Sequence, residues 1–120
     1  MGTVDVYQLC QLGEGWHEVE NWPPAIRWTK DRAVAYLRGS SSRHTLAIRA
    51  CVHRVTTGQI AVNGKAVKRF SLDPGWHELT SSLPQAEDAT VEVEILVDNP
   101  WIPPRDGRIV GIAVEKIGLE

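Results

Sequence analysis

Apolar residues recur at every second position along most of this chain, and that period leaves little choice of fold. Val91, Val93, Ile95 and Val97 alternate with Glu92, Glu94 and Leu96, the pattern of a strand with one buried face. Leu46, Ile48 and Val52 alternate with Ala47, Arg49, Cys51 and His53 in the same manner. Asn63-Gly64 separates an apolar run at 60–62 from a second run at 65–72, and that dipeptide suits a type I′ hairpin turn. Further strands are expected at residues 4–10, 16–20, 26–29, 33–38, 76–83 and 108–119, with Gly, Pro, Asp and Ser clusters between them. Residues 109–114 are apolar on both faces, which suits the middle of a sheet. Only residues 30–37 offer a helical alternative, and that stretch is short beside so many strand signals. About eight or nine strands with turns every ~8–12 residues predict an all-β chain, an antiparallel sandwich or barrel.

The 120 residues match one domain of ordinary size. No linker or low-complexity tract divides them, so residues 1–120 are expected to form a single unit. Met1-Gly2-Thr3 leads almost directly into a strand, which suggests a domain excised from a longer multidomain protein. A net charge of −2 with interleaved Arg and Glu gives no basic stripe for nucleic acid. No apolar run approaches the ~20 residues of a membrane span, and no secretory leader is visible; a cytoplasmic location is the expectation. Cys10 and Cys51 have no metal-like spacing and are read as free thiols. No cofactor is implied. Five Trp outnumber two Tyr and one Phe together, so aromatic area is available for stacking as well as packing.

Gly-Trp-His-Glu occurs twice, at 15–18 and at 75–78. A divided metal site is disfavoured, because His and the adjacent Glu of a strand point to opposite faces. A duplicated half-domain is disfavoured too, because the flanking residues disagree. Both copies share a turn glycine followed by alternation. Strict alternation places Trp16 and Trp76 with the polar residues, whereas a bulge at the glycine places them in the core. Both orientations are open at this level.

Three stretches carry a wider pattern: Gly15-Trp16-His17-x-x-Glu20 with Trp22-Pro23-Pro24 and Arg27-Trp28-Thr29; Asp73 to Leu79; and Pro103-Pro104-Arg105-Asp106-Gly107-Arg108 with Val110 to Val114. Together they resemble a jelly-roll-like β-sandwich accessory module found beside bacterial and archaeal glycosyltransferases and sugar-pathway methyltransferases. The resemblance covers nearly the whole chain from Leu12 onward. His17 stands where that family often has Tyr, and Val110 where Leu is usual. The resemblance implies a carbohydrate-binding-module-like sandwich, a non-catalytic role, a glycan or sugar-containing ligand, and a transferase domain in the same chain or a partner.

The residues supply a candidate site beside that resemblance. Loops at 21–24 and 99–104 each hold a Trp beside prolines, with Arg27, Arg105 and Arg108 close behind. A sugar offers a C–H face to an indole and a hydroxyl rim to Arg, Asp and Glu. Trp22 and Trp101 are therefore expected to flank a groove edged by Glu18, Arg27, Arg105, Asp106 and Arg108. Alternatively, Arg27 and Arg108 pair with Glu20 and Asp106 and pin the loops. No two carboxylates are paired by any sequence feature as a glycosidase requires, and no nucleophile elbow is present; catalytic residues are not expected. A protein-interaction or dimerisation module, docking through an apolar sheet face, is the competing function.

Overall fold

In a computed structural model, residues 3–5, 12–38, 45–83 and 90–120 are described. Cys10, His44 and the remainder of the first expected strand lie outside them. The described residues form ten strands and no helix: β1 (Thr3–Asp5), β2 (Glu20–Asn21), β3 (Ala25–Trp28), β4 (Arg32–Arg38), β5 (Thr45–Val52), β6 (Thr56–Val62), β7 (Lys65–Leu72), β8 (Gly75–Ser82), β9 (Thr90–Val97) and β10 (Ala113–Leu119). They make two antiparallel sheets. One runs β2-β3-β10-β5-β8 with β1 also paired to β10; the other runs β4-β9-β6-β7. The segment with a helical alternative, 30–37, is mostly β4, because Ala33, Val34, Ala35 and Leu37 are all buried.

The alternating apolar residues meet between the sheets. Ile48, Ala50 and Val52 from β5, Leu79 from β8 and Val114, Ile117 and Leu119 from β10 pack against Leu37, Ile60, Phe70, Val93 and Ile95. Asn63 and Gly64 both have positive φ, 50° and 83°, so the β6–β7 turn has the backbone that its dipeptide favours. Strand β10 lies between β5 on one side and β1 and β3 on the other, and the stretch expected to be apolar on both faces, 109–114, overlaps it at Ala113 and Val114.

The run expected at 60–62 is longer than its apolar residues, β6 beginning at Thr56, and two other expected strands differ from those observed. Residues 16–20 do not form a ladder: Trp16 makes one bridge to Thr29, and pairing resumes only at β2. Nor does the last strand begin at 108. Gly111 is pressed against Thr29 and Lys30, where an added Cβ would lie 2.5 Å and 2.7 Å from their oxygens. There the chain trades backbone hydrogen bonds with Thr29, Gly111 N–H to its carbonyl and its N–H to the Ile112 carbonyl, and the regular strand starts at Ala113.

The two Gly-Trp-His-Glu copies turn in opposite directions. Trp16 packs against the main core and its Nε1–H donates to the Val34 carbonyl at 2.9 Å. Trp76 projects from the outer side of β8 and is 37 % exposed. The glycines explain the difference. Gly15 has φ +92° and its missing Cβ would fall 1.8 Å from the Arg32 carbonyl oxygen, so the chain presses against β4 there. Gly75 has φ +126° and open space around it. The histidines donate to separate carbonyls, His17 to Ile109 at 2.7 Å and His77 to Asp73 at 2.6 Å. Among the described residues no group of three His, Cys, Asp or Glu converges for a metal.

The 99–110 loop is tied to the sheet by Arg108. Its Nε and one terminal nitrogen donate to Asp106 at 2.5 Å and 2.8 Å, and the same terminal nitrogen reaches Glu20 at 2.9 Å. Hydrogen bonding from Arg108 holds the Asp106 carboxyl below the usual carboxylate range, and Asp106 and Glu20 together push Arg108 up.

Replacing Gly15 with Ala should cost about 2 kcal/mol or more in urea unfolding, since both strain and a backbone clash oppose it. Gly75→Ala meets strain only and should cost about 1 kcal/mol. A folded-state Asp106 value below the unfolded one stabilises the chain fully above the ordinary carboxylate range, and that contribution is lost as pH falls through the lowered value. The stability gap between wild type and Asp106→Asn should therefore be constant near neutrality and close below about pH 4.

Candidate functional site

The outer face of the six-stranded sheet, turned away from the main core, changes character along its length. At the end near the 21–24 and 99–104 loops it is apolar. Ile26 and Trp28 of β3, Ala113 of β10 and Cys51 of β5 form a second, smaller buried cluster with Val110. Register places Trp28 beside Ala113, Ala113 beside Cys51, and Cys51 beside Trp76. One row of side chains thus crosses four strands, large at both ends and small in the middle.

Trp22 and Trp101 pack onto this cluster from the two loops. Trp22 follows the end of β2, where its N–H reaches the Pro24 carbonyl at 3.2 Å across the cis Pro23-Pro24 bond. Its Nε1–H donates to Glu20 at 3.2 Å, and Glu20 also accepts from Arg108. The ring is stacked on His53, centroids 5.5 Å apart and planes 20° apart. Trp28 and Trp76 meet Trp22 edge-on at 5.9 Å and 6.3 Å, and His53 stands edge-on to Trp28 at 5.3 Å. Such perpendicular and offset contacts are the favoured geometries of quadrupolar rings.

Trp101 is fixed by reciprocal backbone hydrogen bonds with Val110, at 3.0 Å and 2.8 Å. Two guanidinium groups cover rings of the set: Arg54 lies 5.6 Å from the centroid of Trp101, and Arg49 lies 4.9 Å from that of Trp76. Arg49 also donates to Glu115 at 2.9 Å, which fixes its plane. Arg thereby acts as both cation and flat surface. Burial pushes the Cys51 thiol up, against a weaker opposing effect of Arg49. It is a free thiol beneath the aromatic layer.

The sequence-derived residues divide among four places. Trp22 and Trp101 come together on one apolar cluster, half-buried. Arg108 donates to both Asp106 and Glu20, the arrangement in which they pin the loop. Glu18 and Arg105 are exposed, Arg105 with φ +66°. Arg27 is 6 % exposed; strand alternation sends it to the face opposite Ile26 and Trp28, and its Nε has no hydrogen-bond partner among the described residues.

Trp28, Trp76, His53 and Arg49 join the site without having been singled out for it. Trp76 had a local signal, its phase with Glu78 and Thr80. Arg49 and His53 had none, because their places depend on β5 pairing with β8 and β10, whose partners lie far away in sequence.

No family model matches the chain, and no curated protein matches it. Solved structures do. A family 35 carbohydrate-binding module from an environmental isolate superposes with a TM-score of 0.71 at 12 % identity, covering 100 % of this chain and 93 % of that one. The module CsCBM6-3 from Clostridium stercorarium, solved with cellobiose, gives 0.61 at 5 % identity, with 98 % and 92 % covered. A CBM36 module solved with calcium and xylotriose gives 0.55 at 14 % identity, covering each chain completely. At these identities the likeness is one of fold: this chain is an antiparallel β-sandwich of the kind found in carbohydrate-binding modules.

Proposed function

We propose that this chain is a non-catalytic, carbohydrate-binding accessory module whose ligand stacks on the outer-face aromatic set. The observation that carries the reading is the placement of Trp22, His53 and Trp76. All three lie on one face, all retain solvent exposure, and Trp22 holds the other two by ring contacts. Rings that are already packed lose little freedom when a sugar covers them, which is what a stacking platform needs. Trp28, 4 % exposed, supports the platform from beneath. The polar rim is at hand in Glu20 and Arg108, with Arg49 and Arg54 beside the outer rings. Trp101 extends the apolar surface toward the 99–104 loop, with Asp106, Arg105 and Glu18 beyond it. The sandwich shared with modules solved with cellobiose and xylotriose supports the same ligand class for this chain.

An accessory role beside a glycosyltransferase or methyltransferase is the second part of the reading and rests on the sequence resemblance. Its test is the coding sequence on either side of residues 1–120. A transferase domain in the same or an adjacent reading frame is expected, and a flanking sequence without one removes this part.

Protein docking is the competing function, and exposed apolar residues favour it. Ile102 and Ile109 follow and precede the Trp101–Val110 bridge and are 60 % and 41 % exposed. A solution mass that rises with concentration and is reset by Ile102→Ser would select that reading.

Titration with xylotriose and cellobiose should quench or shift tryptophan fluorescence. Trp22→Ala and Trp76→Ala should each weaken binding by about tenfold or more, roughly 1.4 kcal/mol. Trp16→Phe, on the other side of the sheet, should leave affinity unchanged. Equal affinity in all three variants would remove the platform.

A further inference from the structure

Beyond the aromatic end, the same outer face is open and polar. Moving along β5 from Cys51, the next outward residue is Arg49, then Ala47; their register partners are Glu78 and Thr80 on β8, and Lys116 and Gly118 on β10. The side chains drop to a methyl and a hydrogen at Ala47 and Gly118. A groove of about 260 Å³ opens there, lined by Ala47, Arg49, Glu78, Lys116, Gly118 and Glu120. Its floor is the β8-β5-β10 part of the sheet, with a register shift between Val114 and Lys116 at the platform end, and Glu120 is held at the far end by paired backbone hydrogen bonds with Thr45, at 2.7 Å and 2.9 Å.

The groove is continuous with the platform. Arg49 belongs to both: its guanidinium covers Trp76 and its side chain forms part of the groove wall. From the Cys51–Trp76 row to the Ala47–Thr80 row is four residues of strand, about 13 Å. That length takes a chain of sugars rather than one ring.

The charges select its chemistry. Arg49 and Lys116 supply two positive charges; Glu78, Glu120 and the neighbouring Glu115 supply three negative ones. Arg49 is already neutralised by Glu115, whereas neither Glu78 nor Lys116 has an ion-pair partner among the described residues. An anionic chain would meet Glu78 and Glu120 with one free ammonium to offset them. Hydroxyl groups, by contrast, both donate to carboxylates and accept from Lys and Arg, so an uncharged chain uses every group present.

We infer that this groove is an extension subsite for an uncharged, linear oligosaccharide, which enters it from the Trp22–Trp76 platform and lies across the face of the sheet. The inference rests on the glycan-binding reading above, and adds to it chain length, path and charge class.

Calorimetric titration with xylo- and cello-oligosaccharides of increasing length, and with oligogalacturonides, tests it. For wild type, affinity should rise by about tenfold or more from the disaccharide to the hexasaccharide in at least one neutral series. The oligogalacturonides should bind more weakly than that series at every length. Ala47→Tyr, which fills the groove floor, and the double variant Glu78→Gln/Lys116→Met should each abolish the gain with length while leaving disaccharide affinity within about twofold. Trp76→Ala should lower affinity at every length. Equal affinity for short and long chains, preference for the uronate series, or an unchanged length dependence in both groove variants would overturn the subsite and leave the platform standing. A wild type that binds none of these chains would overturn both.

Discussion

Everything on the outer face follows from one strand being apolar on both sides. Around the start of β10, Ile112 and Val114 face the main core, while Ala113 joins the outer cluster with Val110, Trp28 and Cys51. A sandwich needs only one buried face per sheet; this sheet has two at its loop end. The second must be roofed, because exposed apolar area of that size is unfavourable. The roof comes from the loops, as Trp22 and Trp101. Large indoles are needed because the row beneath them is small at Ala113 and Cys51. The aromatic set is therefore part of how the sheet is completed as well as the surface proposed for a ligand.

That dual role orders the remaining interactions. Glu20 receives the Trp22 indole N–H and the Arg108 guanidinium, and Arg108 returns to Asp106. One carboxylate thus joins the two loops that bring the roof. Exposed ion pairs contribute little stability on average; this one matters for where it holds the chain. On the β8 side Arg49 does the same for Trp76, fixed from behind by Glu115.

The alternation made most core strands legible: β4, β5, β7, β8 and β9 differ from expectation by about a residue at their ends, whereas β6 begins at Thr56, four residues before the expected run at 60–62. Asn63-Gly64 specified its turn because two positive φ angles are a local demand. Pattern failed where pairing, not propensity, decides. Residues 16–20 alternate like a strand but find one bridge at Thr29, and before β10 begins Val110 is paired with Trp101 and residues 111–112 with Thr29. The candidate site was half legible. Trp22 and Trp101 were recognisable from their proline-rich loops, but Arg27 was grouped with them by sequence distance alone. In a strand, one position is the difference between two faces of the sheet. Arg49 and His53 came to the site through long-range register, which a single sequence does not display.

Trp16 and Trp76 share a tetrapeptide yet stand on opposite sides of the same sheet. The first is wedded to the fold, with its indole N–H spent on the β4 backbone; the second is answerable only to whatever touches the outer face. Anchoring an alignment on that tetrapeptide would equate an architectural tryptophan with an adaptable one. It also means that side chains can change at Trp76, and along the groove proposed beyond it, while the packing between the sheets is left undisturbed. The backbone of β8 is common to both functions, but its two faces are free to change at different rates.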